Sequence, residues 1–209
     1  MVACIIVAII AYLIGSINFS VILSKKMAGF DVREKGSGNA GTTNMLRSVG
    51  KKAAAITLVC DILKGVVAIL IAMLIGNIVK STNSALLVQI AGIAVIIGHT
   101  FPIFFKFKGG KGVATSLGVL IMSNWQIGLI CLVFALILMV LTQMVSVGSI
   151  AAAILYPVLT LFIPDNYIVQ GNYVIYSIIL AVLIVYNHRE NVKRLLNGTE
   201  NKISFKNTK

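Results

Sequence analysis

The chain has 209 residues, of which 58% are hydrophobic and 11% are charged, whereas a soluble domain usually carries about twice that share of charge. Its longest polar stretch, residues 24–52, is too short to bury a core of its own, so a soluble domain is excluded. The formal charge of +12 would suggest nucleic acid in a soluble protein. Here the basic residues lie in short segments beside apolar blocks. We therefore expect no nucleic-acid partner, and the bases could instead attract anionic lipid or an anionic substrate.

Seven apolar blocks follow one another along the chain, and each is expected to form a helix because lipid requires backbone hydrogen bonds within the segment. They run approximately over residues 2–23, 53–79, 84–105, 113–124, 125–141, 146–163 and 171–187. A membrane span needs roughly 20 residues, so the fourth block is short and a re-entrant segment is the alternative. If it crosses, residues 110–112 or 125–126 complete it. All Lys and Arg residues then lie on the cytoplasmic side, except Lys64, which lies within a span, and Lys80, which lies outside.

That distribution obeys the positive-inside rule. It predicts an all-α, polytopic membrane protein with about seven transmembrane helices, the amino terminus outside and the carboxy terminus inside. Residues 1–209 are expected to form one integral membrane domain. Gly15, Gly65, Gly118 and Gly128 suit close packing of helices. Three cysteines, Cys4, Cys60 and Cys131, lie in apolar segments and favour core thiols over a disulfide or a metal site.

The first of three polar stretches that share the predicted cytoplasmic side is GSGNAGTTNMLR at 36–47. Glycines allow successive backbone N–H groups to face an anion, short polar side chains add donors, and arginine adds a two-pronged cation. The alternative is a flexible loop. A dinucleotide site is excluded because no strand precedes the glycines. The candidate anion ligands are Ser37, Gly38, Asn39, Thr43, Asn44 and Arg47.

The second stretch, GHTFPIFFKFKGGKG at 98–112, places Lys111 in a glycine turn at the start of a helix. Exposed N–H groups and the helix dipole favour phosphate at such a position. It is not a Walker A loop, because Gly112 follows the lysine where Ser or Thr is needed. Gly109, Gly110, Lys111 and Gly112 are candidate phosphate ligands. His99 is either a packed residue that bonds a loop carbonyl or a substrate ligand.

The third stretch follows the last apolar block, where His188 and Asn191 are three residues apart and share a helix face. Histidine is a natural general base near neutral pH, although a basic tail that ends the helix is the alternative.

Two features lie outside these stretches. Asp61 and Lys64 occupy the second block, where charges are costly unless paired or functional, and we expect an ion pair. Ser146 and Ser149 are expected to cap the sixth helix.

Together, the three stretches resemble the bacterial acyl-phosphate:glycerol-3-phosphate acyltransferases. The resemblance rests on GSGNAGTTNMLR at 36–47, GHTFPIFFKFKGGKGVAT at 98–115 and HRENVKRLLNGTE at 188–200, in that order along nearly the whole chain. The sequence departs from the family pattern at Thr42, at Asn18, where a proline is usual, and at residues 142–145, where an arginine and an aromatic are usual. The last departure leaves Arg47 and Lys111 with more of the charge.

The resemblance implies direct transfer of a fatty acyl group from acyl phosphate to the 1-hydroxyl of glycerol 3-phosphate at the cytoplasmic face of a bacterial cell membrane. It implies catalytic roles for His188, as base or as positioner of the glycerol, and for Asn191, with Ser146 added to the ligands of the first two stretches. A substrate phosphate is an alternative base. No cofactor or metal is implied, acyl-CoA is disfavoured as the donor, and the partners are the two substrates and membrane lipid. The competing class is a small anion transporter or channel, which predicts polar residues near the midplane and on both sides.

Overall fold

The computed structural model describes residues 1–81, 83–163 and 173–203, and every regular element within these ranges is helical. Residues 171 and 172, with which the seventh apolar block was expected to begin, lie outside the described residues. The helices are α1 (Val2–Ser16), α2 (Phe19–Ala28), α3 (Thr42–Ser48), α4 (Lys51–Ile78), α5 (Ser84–Thr100), α6 (Val113–Ser123), α7 (Trp125–Thr142), α8 (Val145–Leu159), α9 (Tyr173–Asn187) and α10 (Arg189–Leu196). Single 3-10 turns occupy Val32–Glu34 and Ile103–Phe105.

The seven apolar blocks correspond to seven apolar helical segments. Among the described residues, four segments are long and apolar enough to cross a membrane, namely Val2–Ala28, Lys51–Ile78, Ser84–Phe105 and Trp125–Thr142. Three are shorter, namely Val113–Ser123, Val145–Leu159 and Tyr173–Asn187. The chain is thus an all-helical polytopic membrane protein, as its composition predicts. The number of spans and the orientation stay predictions.

The fourth apolar segment is shorter than expected. The α6 helix has 11 residues, about 16 Å at 1.5 Å per residue, against roughly 30 Å for the hydrocarbon core. Gly112 before it has a left-handed φ of 87°, and Asn124 after it is extended. The expectation that residues 110–112 or 125–126 complete this helix is therefore wrong, because the backbone leaves the helical conformation at both ends.

The first block is also divided, into α1 and α2. Ile17 is extended, and the Asn18 side chain accepts a hydrogen bond from the N–H of Val21 at the start of α2. Asparagine is a favoured residue at this capping position because its side-chain oxygen satisfies an N–H that lacks a helical partner. The departure from proline at position 18 thus supplies a cap for the second helix.

The described chain divides into two compact units, residues 1–124 and residues 125–163 with 173–203. The single domain expected over 1–209 stays a prediction. In the first unit, close helix contacts depend on glycines. An added Cβ on Gly15 would collide with the Val95 carbonyl of α5, and one on Gly118 would collide with the Ile62 carbonyl of α4. Gly65 meets Thr115 of α6 in the same way.

The second unit comprises α7 to α10 and the segment after α10. Here an added Cβ on Gly148 of α8 would lie 2.5 Å from the Ala135 carbonyl of α7, and Gly128 is buried in α7. Past α10, the N–H of Ile203 donates to the Gln143 carbonyl at the turn before α8, at 2.8 Å. The segment is thereby fastened to the start of α8. All three cysteines are free thiols, and Cys131 is buried.

Candidate active site

The first glycine loop, residues 36–41, is folded around the buried side chain of Asn44. The Asn44 amide nitrogen donates to the carbonyls of Val32 (2.8 Å) and Lys35 (3.0 Å), and its oxygen accepts from the N–H of Ser37 at 2.9 Å. Gly36 has a left-handed φ of 60°, and a Cβ there would collide with the Asn44 oxygen. Asn44, predicted as a substrate ligand, thus uses both ends of its amide to hold this loop.

The other predicted ligands of this stretch lie around the Asn44 side chain that braces the loop. Ser37 and Gly38 are exposed, and Gly38 also has a positive φ, of 72°. Thr43 lies in the first turn of α3, and Arg47 lies exposed in its last turn. A rigid loop with polar groups at its surface is suited to an anion, because its donors are fixed before the anion arrives.

The second glycine loop, residues 106–112, folds back onto the end of α5. The N–H of Gly109 donates to the Thr100 carbonyl and that of Gly110 to the His99 carbonyl, both at 3.1 Å. A Cβ on Gly109 would collide with the His99 carbonyl oxygen. The loop ends at Lys111, which is partly exposed and immediately precedes Gly112 and α6. This places the lysine at a helix amino terminus, as the sequence predicts.

Arg33 and Asp31 link the segment just before the first glycine loop to the second glycine loop. One Arg33 nitrogen, Nη1, donates to the carbonyls of Phe105 (2.8 Å) and Lys108 (3.0 Å). Its Nε and Nη2 donate to the two Asp31 carboxylate oxygens at 2.9 and 2.7 Å. These hydrogen bonds from Arg33 lower the pKa of Asp31 below its usual range. Sequence reasoning missed this clamp, since Arg33 was counted only among the bases that set orientation.

A buried charged cluster lies beneath the loops. The Lys64 ammonium contacts an Asp61 carboxylate oxygen at 2.9 Å and donates to the carbonyls of Gly15 and Ile17 at 3.1 Å each. The same Asp61 oxygen is 3.6 Å from Nδ1 of His99. The expected ion pair is therefore present. An Asp61 carboxylate oxygen also lies beside the His99 ring, and His99 stays a predicted substrate ligand.

In the second unit, the Glu200 carboxylate accepts hydrogen bonds from the polar side chains that lie near the end of α9. Its Oε1 accepts from Ser146 at 3.0 Å and from Asn191 at 2.8 Å, and its Oε2 accepts from Nε of Arg194 at 2.9 Å. Burial alone would raise the pKa of Glu200, but hydrogen bonds from Asn191, Ser146 and Arg194 lower it. Glu200 was quoted in the third motif without a role, and only its final position in that motif could have singled it out.

The expected helix caps by Ser146 and Ser149 are wrong. The capping position of α8 is Met144, and Ser149 donates back to the Val145 carbonyl at 2.9 Å. The Ser146 hydroxyl is instead directed to Glu200. It stays a predicted substrate ligand.

His188 occupies the junction of α9 and α10 and is 3% exposed. Its Nδ1 lies 2.8 Å from the Ile184 carbonyl. A carbonyl can only accept a hydrogen bond, so Nδ1 carries the proton and the lone pair of a neutral ring is on Nε2. Asn191, also buried, follows within the first turn of α10.

Comparison with known proteins agrees with the motifs. A family model described as glycerol-3-phosphate acyltransferase matches residues 5–198. A glycerol-3-phosphate acyltransferase of Clostridioides difficile (strain 630) is 43% identical over 202 residues, 97% of this chain and 96% of that protein. One of Thermoanaerobacter pseudethanolicus is 46% identical over 199 residues, 95% of each chain.

Two solved structures are also similar. The crystal structure of PlsY (YgiH), an integral membrane glycerol 3-phosphate acyltransferase, in its glycerol 3-phosphate form has a TM-score of 0.84 and 37% identity, with 96% of each chain covered. Its lysophosphatidic acid form has a TM-score of 0.82 and 36% identity, over 96% of this chain and 95% of that one. The sequence match and the shared fold lead to one conclusion: the chain belongs to the glycerol-3-phosphate acyltransferase family.

Proposed function

We propose that this protein transfers a fatty acyl group from acyl phosphate to the 1-hydroxyl of glycerol 3-phosphate, giving 1-acyl-glycerol 3-phosphate and inorganic phosphate. This reaction is the first step of phospholipid synthesis, and we place it at the cytoplasmic face of the bacterial cell membrane. The observation that carries the proposal is the pair of braced glycine loops in the first unit, with Arg47 in the helix that follows the first loop and Lys111 within the second. The glycerol 3-phosphate and lysophosphatidic acid forms of PlsY supply the corresponding substrate and product.

The charges of the substrates explain why such loops are needed. Each phosphate monoester carries roughly −1.5 to −2 at neutral pH, so the two substrates together bring about three to four negative charges. Arg47, Lys111 and the backbone N–H groups of the two loops are the proposed counterparts, with Ser37 and Thr43 as further donors. Fixed donors and cations can stabilise such charge without rearranging during the reaction.

The transfer itself makes one ester bond and breaks one anhydride bond. The hydroxyl oxygen attacks the acyl carbon, and the bond from that carbon to the phosphate oxygen breaks, so inorganic phosphate leaves with the electron pair. Phosphate is a good leaving group, and what remains is orientation and removal of the hydroxyl proton. We propose that Nε2 of His188 accepts this proton and that Asn191 helps to orient the glycerol. A substrate phosphate is the alternative acceptor.

The test is turnover by the purified protein in detergent, with glycerol 3-phosphate and either acyl phosphate or acyl-CoA. We expect product only with acyl phosphate. Turnover only with the thioester, or none with either donor, would contradict the proposal. Movement of glycerol 3-phosphate into proteoliposomes without acylation would indicate a transporter.

Two substitutions localise the chemistry. Lys111→Gln should lower kcat/KM by roughly 100-fold or more, as expected when a fixed cation is lost from a reacting phosphate. Lys106→Gln, which removes the same charge from an exposed position five residues earlier, should leave kcat/KM within about twofold. His188→Ala with near-normal turnover would remove histidine from the mechanism and leave a substrate phosphate as the base.

A further inference from the structure

The buried cluster of Asp61, Lys64 and His99 has no part in the chemistry proposed above, although charges inside a membrane helix are costly. We propose that Asp61 is a positioning residue for the second glycine loop: by orienting His99 it fixes Gly110, and with it Lys111, where the substrate phosphate binds. This inference rests on the proposed function for the identity of the bound phosphate.

The imidazole of His99 lies between the carboxylate and the loop. Its Nδ1 is 3.6 Å from an Asp61 oxygen, and its Nε2 is so near Gly110 that a Cβ on that glycine would collide with it. The two nitrogens are separated by one carbon, Cε1, of a rigid ring, and Cε1 also faces Gly110. The ring therefore acts as a spacer, and its orientation decides how close Gly110 can come to α5.

The backbone makes the same connection. The His99 carbonyl accepts the N–H of Gly110 at 3.1 Å, so residue 99 touches residue 110 through both its main chain and its side chain. The added Cβ on Gly110 would also meet the Ala40 carbonyl of the first glycine loop. A turn of the imidazole would thus push on Gly110, which has no free space on either side, and would displace Lys111, the next residue.

Lys64 has a structural role that is separate from the contact between Asp61 and His99. Its ammonium neutralises Asp61 and donates to two carbonyls at the end of α1. Replacing both members of a buried ion pair by apolar residues of similar size is often neutral or stabilising, whereas removing one member strands the other charge. We therefore expect a variant that lacks both members to remain folded, although the two carbonyls lose the Lys64 donor. We expect the loss of Asp61 to act on its contact with His99.

The experiment compares the wild type with the Asp61→Leu/Lys64→Met double variant in detergent. We expect a thermal midpoint within a few degrees of the wild type, a KM for glycerol 3-phosphate at least tenfold higher and a kcat within about threefold. Thr57→Val is the matched control, because Thr57 is also buried in α4 and bonds only the Ala53 carbonyl of its own helix. Its KM should not change. An unchanged KM in a folded double variant overturns the proposal.

A mutant cycle separates positioning from general damage. If Asp61 acts through His99, then in a His99→Gln background the Asp61→Leu/Lys64→Met change should raise KM by less than about twofold further, because coupled residues are non-additive. Additive increases would overturn the proposal, since they would mean that Asp61 acts by another route.

A spectroscopic measurement does not depend on acyl transfer. The chain has two histidines, so ¹⁵N-histidine spectra of the wild type and of His99→Gln assign the His99 ring. We expect a protonated Nδ1 facing Asp61 and a changed Nδ1 signal in the double variant, and an unchanged signal overturns the proposal. Glycerol 3-phosphate affinity is measured in parallel by calorimetry. A wild type that binds it without turnover would contradict the proposed function alone, and the affinity of the double variant would still test Asp61.

Discussion

The two units each gather polar side chains around a carboxylate, but Asp61 and Glu200 are held in different ways. Asp61 lies within α4 among apolar residues, and its nearest partner is the Lys64 ammonium at 2.9 Å. Glu200 lies beyond α10 and accepts from the serine, asparagine and arginine side chains described above. Inside lipid, a carboxylate needs an opposite charge. Glu200 is also paired with a cation, Arg194, but the neutral side chains of Ser146 and Asn191 donate to it as well.

The difference extends to what each carboxylate organises. Asp61 acts through His99 on a tightly packed glycine loop. Small changes in side-chain size there should therefore displace the loop. Glu200 accepts hydrogen bonds from side chains of α8 and α10, so its loss should be felt as lost hydrogen bonds.

The largest effect is expected for Gly110→Ala in the first unit. The new methyl group would collide with the His99 ring and the Ala40 carbonyl, so the loop and Lys111 must move. A displacement of about 1 Å in a positioned group can cost roughly 100-fold in rate, and we expect kcat/KM to fall by at least that factor in the acyl phosphate assay.

The control is Gly198→Ala in the second unit. Gly198 has a φ of +67° but no atom within 4 Å of an added Cβ, so only backbone strain of about 1 kcal/mol is expected. Its activity should stay within about threefold of the wild type. Equal losses in the two variants would show that the first unit is not the sterically tighter one.

The architecture was largely predictable because apolar block length is set by the membrane. What the blocks could not show is where a helix stops within an apolar run. The break at Ile17–Asn18 depends on one side-chain cap, and the short α6 depends on the backbone conformations of Gly112 and Asn124. Neither changes the hydropathy of its block, so composition alone could not reveal them.

The local geometry of the candidate site was predictable where residues near in sequence act together, as in the glycine turn before α6. It was not predictable where contacts join distant segments. The bond from Arg33 to Phe105 spans 72 residues and that from Ser146 to Glu200 spans 54. Asn44 and Ser146 are instructive because their residue types suggested ligands and caps, whereas each forms a hydrogen bond that only the folded chain supplies.

An intermediate effect, on stability, is expected for Glu200→Gln. The amide cannot accept as strongly as a carboxylate, and its NH₂ group opposes the Arg194 donor. A hydrogen bond to a charged group contributes about 1.5–3 kcal/mol, so we expect a loss of about 2 kcal/mol at pH 7 in denaturant unfolding. Glu190→Gln is the matched control. Its exposed carboxylate pairs with exposed Lys193, and we expect no measurable change.

The pH dependence follows from the lowered pKa of Glu200 in the folded protein. The stabilisation by its ionised form is complete above the ordinary value of 4.5 and is lost as the pH falls through the folded value. The difference between wild type and Glu200→Gln should therefore shrink below about pH 4.5. A constant difference from pH 7 to pH 4 would show that the charge of Glu200 is not what stabilises this unit.

The smallest effect is expected for Arg33→Lys, which tests whether the link from Arg33 and Asp31 to the second glycine loop depends on charge or on geometry. Lysine keeps the charge beside Asp31, but one ammonium cannot reach both carboxylate oxygens and the two carbonyls that guanidinium bonds now. Because the arginine is partly exposed, the ion pair itself contributes only about 0.2–1 kcal/mol. We expect nearly unchanged stability with a KM for glycerol 3-phosphate raised about two- to fivefold.

Lys25→Gln removes a more exposed cation 3.7 Å from Asp31 and should leave KM unchanged. If both substitutions raise KM equally, charge near Asp31 is what matters, and the loops of the first unit are not held by the fixed geometry that distinguishes them from the Glu200 cluster.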